Sequence, residues 1–430
     1  MRIYVVRPGD SVYSIARSFG VTPESILESN KLQNNQLVIG QTVVVPSTEI
    51  SYRVRPGDTL WSISRKFRVS PESIQKLNNL QNPSQVYPGL ILRIPENAKN
   101  YGTIEVNAFI QPSTKEKEDA VLSESLPYLT YITPFSHHVT ETAGLTPLDD
   151  ENIINQAKKA GVNPMLSVTN ITGTTGSNFN SELISNILNS ETLENILINN
   201  ILSLIRSKGY YGVIVDFERI PPKDRENYNN FLRKLTERLH PDYKVATALA
   251  PKTYDIKEGS WHGAHDYKAH GEIVDFVIIM TYEWGWSGGP PLAVAPIDQV
   301  EKVIRYAVSV IPPSKIMMGI PLYGYDWTLP YIPKGEFAET IGNDEAIERA
   351  RKYGARIKYD IKSQSPYYNY VDAEGRQHVV WFEDARSVEE KYKLVFRYKL
   401  KGVSYWVLAR SFTQNFKVLD NMFMIKKYNQ

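Results

Sequence analysis

The sequence predicts an α/β protein: a closed (β/α)8 barrel with a small α+β insertion before its last strand, preceded by two small βααβ modules. Three observations predict this. A stretch beginning at Tyr4 recurs in slightly altered form at Tyr52. From Tyr101 onward, eight apolar runs alternate with longer amphipathic stretches, the signal of a parallel sheet with helices outside it. The last of those runs follows a gap too long for a single strand-to-helix connection.

The repeat is the clearest organising signal. "YVVRPGDSVYSIARSFGVTPESI" from Tyr4 matches "YRVRPGDTLWSISRKFRVSPESI" from Tyr52, an offset of 48 positions (52 minus 4). Each copy reads as strand, helix, helix, strand. Pro8-Gly9-Asp10 and Pro56-Gly57-Asp58 form the turn, and Val12, Ile15, Ala16 and Phe19 fall at helical spacing, as do Leu60, Ile63 and Phe67. Thr22-Pro23 and Ser70-Pro71 have the form of an N-cap followed by proline at the first helical position. "QTVVVP" and "LILRIP" close the copies as short strands ended by Pro46 and Pro95. These features place the units at 1–47 and 48–97. The copies resemble LysM modules over nearly all of residues 2–96. That resemblance implies binding of glycans containing N-acetylglucosamine, such as peptidoglycan or chitin.

The third unit, 98–430, carries the barrel, the TIM-barrel architecture. Its expected strands begin at Gly102 (GTIEVNAFI), Leu129 (LTYITPFS), Pro164 (PMLSVT), Gly212 (GVIVDFE), Lys244 (KVATALAP), Val274 (VDFVIIMTY), Lys315 (KIMMGIPLYGY) and Gly402 (GVSYWVLA). Thr146-Pro147 to Gly161 reads as one of the intervening helices, with a capping Thr, an early Pro and a terminal Gly. The segment at about 326–399, with its own short runs such as "HVVWFED", reads as the insertion.

Composition narrows the function classes. The 430 residues carry 49 Lys+Arg against 47 Asp+Glu, a net charge of +2, so no strong field favours nucleic acid or an anionic membrane. With 27 Tyr and 7 Trp, aromatic side chains are available both for the core and for flat, hydroxyl-bearing ligands. The absence of cysteine excludes disulfides and thiolate metal sites. "MRIYVVRPGD" is too short an apolar run for a signal peptide, and no stretch reaches the ~20 apolar residues of a spanning helix. Synthesis in a cytoplasm, outside the general secretory route, is therefore expected.

The chemistry concentrates at the end of the fourth strand. In "GVIVDFERI", Gly212, Ile214, Asp216 and Glu218 share one strand face, and Val213, Val215 and Phe217 share the other. The outward set packs on helices, so the inward set carries both acids to the C-terminal mouth of the barrel, where barrel active sites lie. At ~3.3 Å per residue their Cα atoms stand about 6.6 Å apart, near enough to influence each other's protonation. Such a pair suits acid–base work on a glycosidic bond. It equally suits a structural pair satisfied by Arg or Lys inside the barrel.

"VDFERI", with "MTYEWG" from Met280 and Tyr405-Trp406, resembles glycoside hydrolase family 18, the chitinase-like barrels. The family's strand-four pattern is Asp-Gly-x-Asp-x-Asp-x-Glu. Matched onto this chain, Glu218 takes the proton donor's place, Asp216 that of the preceding acid, and Gly212 is kept, while Tyr211 and Ile214 replace two acids. The family's Ser-x-Gly-Gly after strand three is also missing, with "SVTN" from Ser167 in its place.

The resemblance implies retaining, substrate-assisted hydrolysis of β-1,4 bonds after N-acetylglucosamine. Glu218 protonates the leaving oxygen, Asp216 orients the acetamido N–H, Tyr282 binds its carbonyl, and Trp406 floors the subsite. Glu283 stands where many relatives have Asp, and Trp284 and Trp286, on the loop "EWGWSGGPP", are candidate sugar platforms or loop-packing residues. No metal or organic cofactor is implied. The three histidines of "WHGAHDYKAH" read as local packing rather than metal ligands, and His137-His138 as rim hydrogen bonding.

Repeats and barrel together resemble the cortex-fragment-lytic N-acetylglucosaminidases of endospore-forming bacteria. That implies a monomeric enzyme acting on spore-cortex peptidoglycan during germination, made in the mother cell and laid down in the coat and cortex region. The alternatives are a catalytically silent glycan-binding or spore-coat structural protein, and a chitin-oligomer hydrolase.

Overall fold

A computed structural model describes residues 1–430 except 33–34, 47–48, 68, 83–84, 96–98, 100, 174–177, 411 and 429–430. The expected unit boundaries at 47/48 and 97/98 lie outside the described residues. The first module runs β1 (Arg2–Val5), α1 (Val12–Phe19), α2 (Pro23–Ser29), β2 (Thr42–Val45); the second runs β3 (Glu49–Arg53), α3 (Leu60–Phe67), α4 (Pro71–Asn78), β4 (Ile91–Pro95). In each, the strands pair antiparallel. The Pro-Gly-Asp turn is tied by its acid: Asp10 accepts from the Tyr4 hydroxyl and the Arg7 N–H at 2.7 Å each, and Asp58 accepts from Tyr52 (2.6 Å) and Arg55 (2.7 Å). Thr22 and Ser70 cap their helices by accepting from Ser25 N–H (3.2 Å) and Ser73 N–H (3.1 Å).

The two copies differ in what they touch. In the first, Gln414 donates to Asn30 Oδ1 and to the Thr42 carbonyl, and Val38 joins the hydrophobic core of the insertion. Gly40, at φ +89°, approaches so closely that a Cβ there would lie 1.9 Å from the Ile357 carbonyl oxygen. The equivalent Gly89 of the second copy meets nothing within 4 Å, and its neighbours Tyr87 and Ile91 are exposed.

The barrel strands are β5 (Thr103–Ile110), β6 (Tyr131–Pro134), β8 (Asn163–Thr169), β9 (Gly212–Asp216), β10 (Lys244–Leu249), β11 (Phe276–Ile279), β12 (Ile316–Pro321) and β18 (Gly402–Trp406); β7 (His137–His138) pairs with the end of β8. They pair in parallel in that order, and β18 closes onto β5. Around them lie α5 (Lys115–Ser125), α6 (Glu151–Lys159), α7 (Ser181–Leu188), α8 (Glu191–Lys208), α9 (Arg225–Leu239), α10 (Tyr267–Ile273) and α11 (Ile297–Val310). The alternation read in strand four is realised: Ile214 belongs to the barrel interior with Phe109, Met165 and Ala246, and Val213, Val215 and Phe217 pack in the outer helix-facing core.

Four elements differ in extent from the sequence expectation. The fourth strand ends at Asp216, so Glu218 sits in the following loop. The run from Lys315 splits at Leu322, where the chain leaves the barrel and begins the insertion sheet. That sheet comprises β13 (Tyr323–Leu329), β14 (Glu339–Gly342), β15 (Lys358–Asp360), β16 (Ser365–Val371) and β17 (Gln377–Trp381), covered by α12 (Asn343–Lys352). The insertion therefore ends well before 399: α13 (Ala385–Arg397) belongs to the barrel's outer layer, where Val388, Tyr392, Leu394 and Val395 join the main core. Lastly, α6 starts at Glu151 rather than at Pro147, because Thr146 is engaged with the β7 histidines. After β18, α14 (Thr413–Met422) and the short β19 (Met424–Ile425) complete the chain.

Candidate active site

The C-terminal mouth of the barrel opens into a cavity of about 730 Å³ whose lining includes Asp216, Glu218, Tyr282, Glu283, Trp284, Trp286 and Trp406. The catalytic and sugar-binding candidates read from the sequence thus reach one space.

The backbone that carries the two acids is clamped from both sides. Asn170, buried at the end of β8, accepts the Glu218 N–H through Oδ1 (3.0 Å) and donates Nδ2–H to the Glu218 carbonyl (2.9 Å). Across from it, His265 Nδ1 accepts the Ala250 N–H (2.8 Å), which leaves Nε2–H to donate to the Phe217 carbonyl (3.0 Å). Burial holds His265 neutral, its pKa pushed down to about 4. Sequence reading missed Asn170, which lay in the "SVTN" stretch noted only as a departure. His265 is the packing histidine expected, with the added role of bracing the acid loop. His270 packs edge-on against Tyr228 with ring centroids 4.9 Å apart, and His262 lines the cavity. Among the described residues no group of three or more His, Asp or Glu side chains is arranged to hold a metal ion. His137 bonds the Thr146 carbonyl through Nδ1 (2.7 Å) and Asp150 through Nε2 (3.3 Å).

The acids are buried and, among the described residues, their carboxylates have no hydrogen-bonding side chain. Asp216 Oδ1 is fully enclosed and without a partner. Burial pushes the Asp216 carboxyl up to about 7. Glu218 is raised well above its ordinary value by burial first and then by the charge of Asp216, with Arg219 pulling against them and Glu283 adding least. The contrast is Glu105 at the other end of the barrel interior, whose carboxylate is paired with Lys401 (2.8 Å) and Lys426 (3.1 Å) and bonded by Tyr131 (2.9 Å) and Tyr428 (2.6 Å). A structural acid in this fold is paired in that way. Glu218, raised well above its ordinary value, is left with protonation as the cheaper state, while Asp216, at about 7, ionises beside it as pH passes neutrality, the arrangement of a proton-donating site. At position 214, where the family has an acid, the Ile214 side chain joins an apolar layer with Phe109, Met165 and Ala246.

The other lining residues are held by identifiable neighbours. Trp406 meets Phe135 and Phe109 edge-on at centroid distances of 4.7 and 5.6 Å, which fixes its face toward the cavity. Tyr282 packs against Gly319, where a Cβ would come within 2.8 Å of its ring. Burial and the nearby carboxylates keep the Tyr282 hydroxyl protonated, so it is available as a donor. Glu283 accepts from the hydroxyls of Tyr323 and Tyr325, the latter at 2.9 Å, and burial raises its pKa despite them. Trp286 is 45% exposed and leans edge-on against Phe337 at 6.2 Å, and Trp284 is half-buried beside the main core.

Comparison with known proteins gives this cleft a family. Residues 113–410 match the model for glycosyl hydrolases family 18, and residues 4–46 and 52–95 each match the LysM domain. The chain belongs to glycosyl hydrolase family 18. It is a glycoside hydrolase carrying two LysM domains. It is 44% identical over 432 aligned residues to the cortical fragment-lytic enzyme of Bacillus anthracis and 45% identical to that of Bacillus subtilis, covering 99% of each chain in both cases. Among solved structures, the spore cortex-lytic enzyme SleL of Bacillus megaterium superposes with a TM-score of 0.90 at 40% identity, over 99% of both chains. A chitinase from Chromobacterium violaceum superposes with a TM-score of 0.68 at 25% identity, over 74% of this chain and 98% of its own. This family 18 barrel thus joins a chitinase-like cleft to a LysM pair shared at full length with cortex-lytic relatives. Among the described residues no helix is long and apolar enough to cross a membrane.

Proposed function

We propose that the protein is an N-acetylglucosaminidase that hydrolyses β-1,4 bonds after N-acetylglucosamine in spore-cortex peptidoglycan or its fragments, with retention and with the substrate's own acetamido group as nucleophile. The observation that carries this reading is the enclosed, partnerless Oδ1 of Asp216 beside a Glu218 whose carboxyl is held protonated. Asp216 also lines the cavity, so a bound sugar can bring its acetamido N–H to the open side of that carboxyl.

Glu218 gives its proton to the glycosidic oxygen as the C1–O bond breaks. The acetamido carbonyl oxygen bonds to C1 and forms an oxazolinium ion. Asp216, as carboxylate, accepts the acetamido N–H and offsets the positive charge, while the Tyr282 hydroxyl donates to the acetamido oxygen before it attacks. Glu218, now a carboxylate, takes a proton from water as that water adds at C1 and the C1–acetamido bond opens. Two displacements at C1 give net retention. Trp406 lies beneath the reacting sugar, and Trp284 and Trp286 extend the apolar wall. The full-length likeness to cortical fragment-lytic relatives supports the cortex substrate and a spore-associated location, and the LysM pair supports anchoring on N-acetylglucosamine-containing glycan.

The test is incubation of wild type and Glu218→Gln with cortex muropeptides, followed by mass and reducing-end analysis. New N-acetylglucosamine reducing ends from wild type alone are expected. New muramic-acid reducing ends, or equal products from both proteins, contradict the reading.

A further inference from the structure

Among the described residues the cleft holds two arginines outside any direct ion pair, Arg219 with its charge near Glu218 and Arg410 with its charge near Glu339. Arg219 follows Glu218 in the left-handed region (φ +56°), so the two successive side chains both reach the cavity, which an extended strand forbids. Arg219 is exposed, its guanidinium 5.9 Å from the Trp261 ring centroid. Arg410 follows β18 and lines an adjoining cavity of about 450 Å³, walled by Trp406, Glu283, Tyr325 and Thr340. Among the described residues neither guanidinium has an ion pair, whereas Arg349 in the neighbouring insertion is fully paired to Asp326, Glu339 and Glu345. Strands four and eight stand opposite each other in an eight-stranded barrel, so the two cations flank the cleft at its two sides, with Glu218 next to one and Trp406 next to the other.

We infer that Arg219 and Arg410 bind carboxylates carried on the 3-O-lactyl arms of the sugars on either side of the reacting N-acetylglucosamine. This rests on the proposed cleavage position. In a glycan alternating N-acetylglucosamine with muramic acid, a cut after N-acetylglucosamine places a muramic residue on both flanks. The leaving sugar lies on the Glu218 side, beside Arg219, and the preceding sugar lies beyond Trp406, beside Arg410. A flanking muramic residue presents a carboxylate, either the lactyl group itself or the end of a stem peptide attached to it, wherever that carboxyl is not closed into a δ-lactam. Chitin presents none, so its hydrolysis calls for neither cation. A cleft arginine held in no direct ion pair keeps its fork of N–H donors available and is the side chain suited to a carboxylate.

The test compares kcat/KM on three substrates: glycan fragments with stem peptides removed and lactyl carboxylates free, fragments with stem peptides retained, and chitin oligomers. Proteins are wild type, Glu218→Gln, Arg219→Gln, Arg410→Gln and Arg410→Lys. The quantity read is the ratio of the muramic substrate to the chitin oligomer, which cancels any loss of folded protein and any effect of Arg219 on the protonation of Glu218. The ratio is expected to fall about tenfold in Arg219→Gln and in Arg410→Gln and to be partly restored in Arg410→Lys, as loss of one charge-assisted hydrogen bond predicts. A fall on peptide-free fragments assigns the lactyl carboxylate, and a fall only on peptide-bearing ones assigns the stem peptide. Unchanged ratios, with wild-type cleavage abolished by Glu218→Gln, overturn the arginine assignment alone. Wild-type inactivity on all three substrates overturns the proposed function and this inference with it.

Discussion

The Asn170 side chain holds the backbone of Glu218 through two opposed hydrogen bonds, accepting its N–H at 3.0 Å and donating to its carbonyl at 2.9 Å. Both groups are buried, so removing the amide leaves a donor and an acceptor unsatisfied at about 1–3 kcal/mol each. Asn170→Ala should lower kcat roughly 10- to 100-fold with a smaller change in KM, since it releases the acid rather than the sugar. Asn170→Asp, which can still accept but cannot donate, should fall between. Steady-state kinetics of the two variants checks this.

Asp216 sets a pH dependence of stability opposite to that of an ordinary paired carboxylate. Its folded pKa of about 7 lies above its unfolded value of about 4, so the native state favours the neutral form. Below pH 4 the group is protonated in both states and has no effect. As pH rises from about 4 to about 7 the unfolded chain gains stability by ionising, and native stability falls. Asp216→Asn should therefore unfold at nearly the wild-type temperature at pH 4 and several degrees above it at pH 8. Thermal melts at the two pH values check this.

Trp406 is wedged between Phe109 and Phe135, each edge-on aromatic contact contributing ~0.5–1.5 kcal/mol. Trp406→Ala should raise KM and cost at least tenfold in kcat/KM, while Trp406→Phe should recover most of the loss because a flat ring is restored. A rise in kcat for either variant would contradict the placement of the sugar on this ring.

The first LysM domain should be attached to the barrel and the second not. Gly40→Ala and Gly89→Ala incur the same positive-φ strain, but only the former drives a Cβ to 1.9 Å from a neighbouring carbonyl oxygen. The first substitution should weaken the seating of the first module and raise its susceptibility to protease, and the second should be milder by at least 1 kcal/mol. Limited proteolysis of the pair measures the difference.

Much of this arrangement was legible because it follows from spacing. Period-two alternation put Asp216 and Glu218 on the face of Ile214, and the structure has Ile214 inside and Val213 and Val215 outside. The repeat gave both modules directly. What was not legible depends on contacts remote in sequence. Asn170 and Glu218 are 48 positions apart and meet only once β8 and β9 are paired. The limits of the insertion were obscured because Tyr323–Leu329 continues the apolar pattern of β12, and because α13 has the amphipathic pattern of an outer helix wherever it is placed. The late start of α6 depends on the bonding of Thr146 to β7, which local propensity does not encode.

The central claim is that Glu218 works with the substrate's own acetamido group, and time-resolved proton NMR of the first-formed reducing end tests it most directly. Wild-type enzyme acting on the β-linked cortex glycan should release the β-anomer of the new N-acetylglucosamine end first, with the α-anomer appearing later by mutarotation. Initial release of the α-anomer would show direct attack by water and contradict the account.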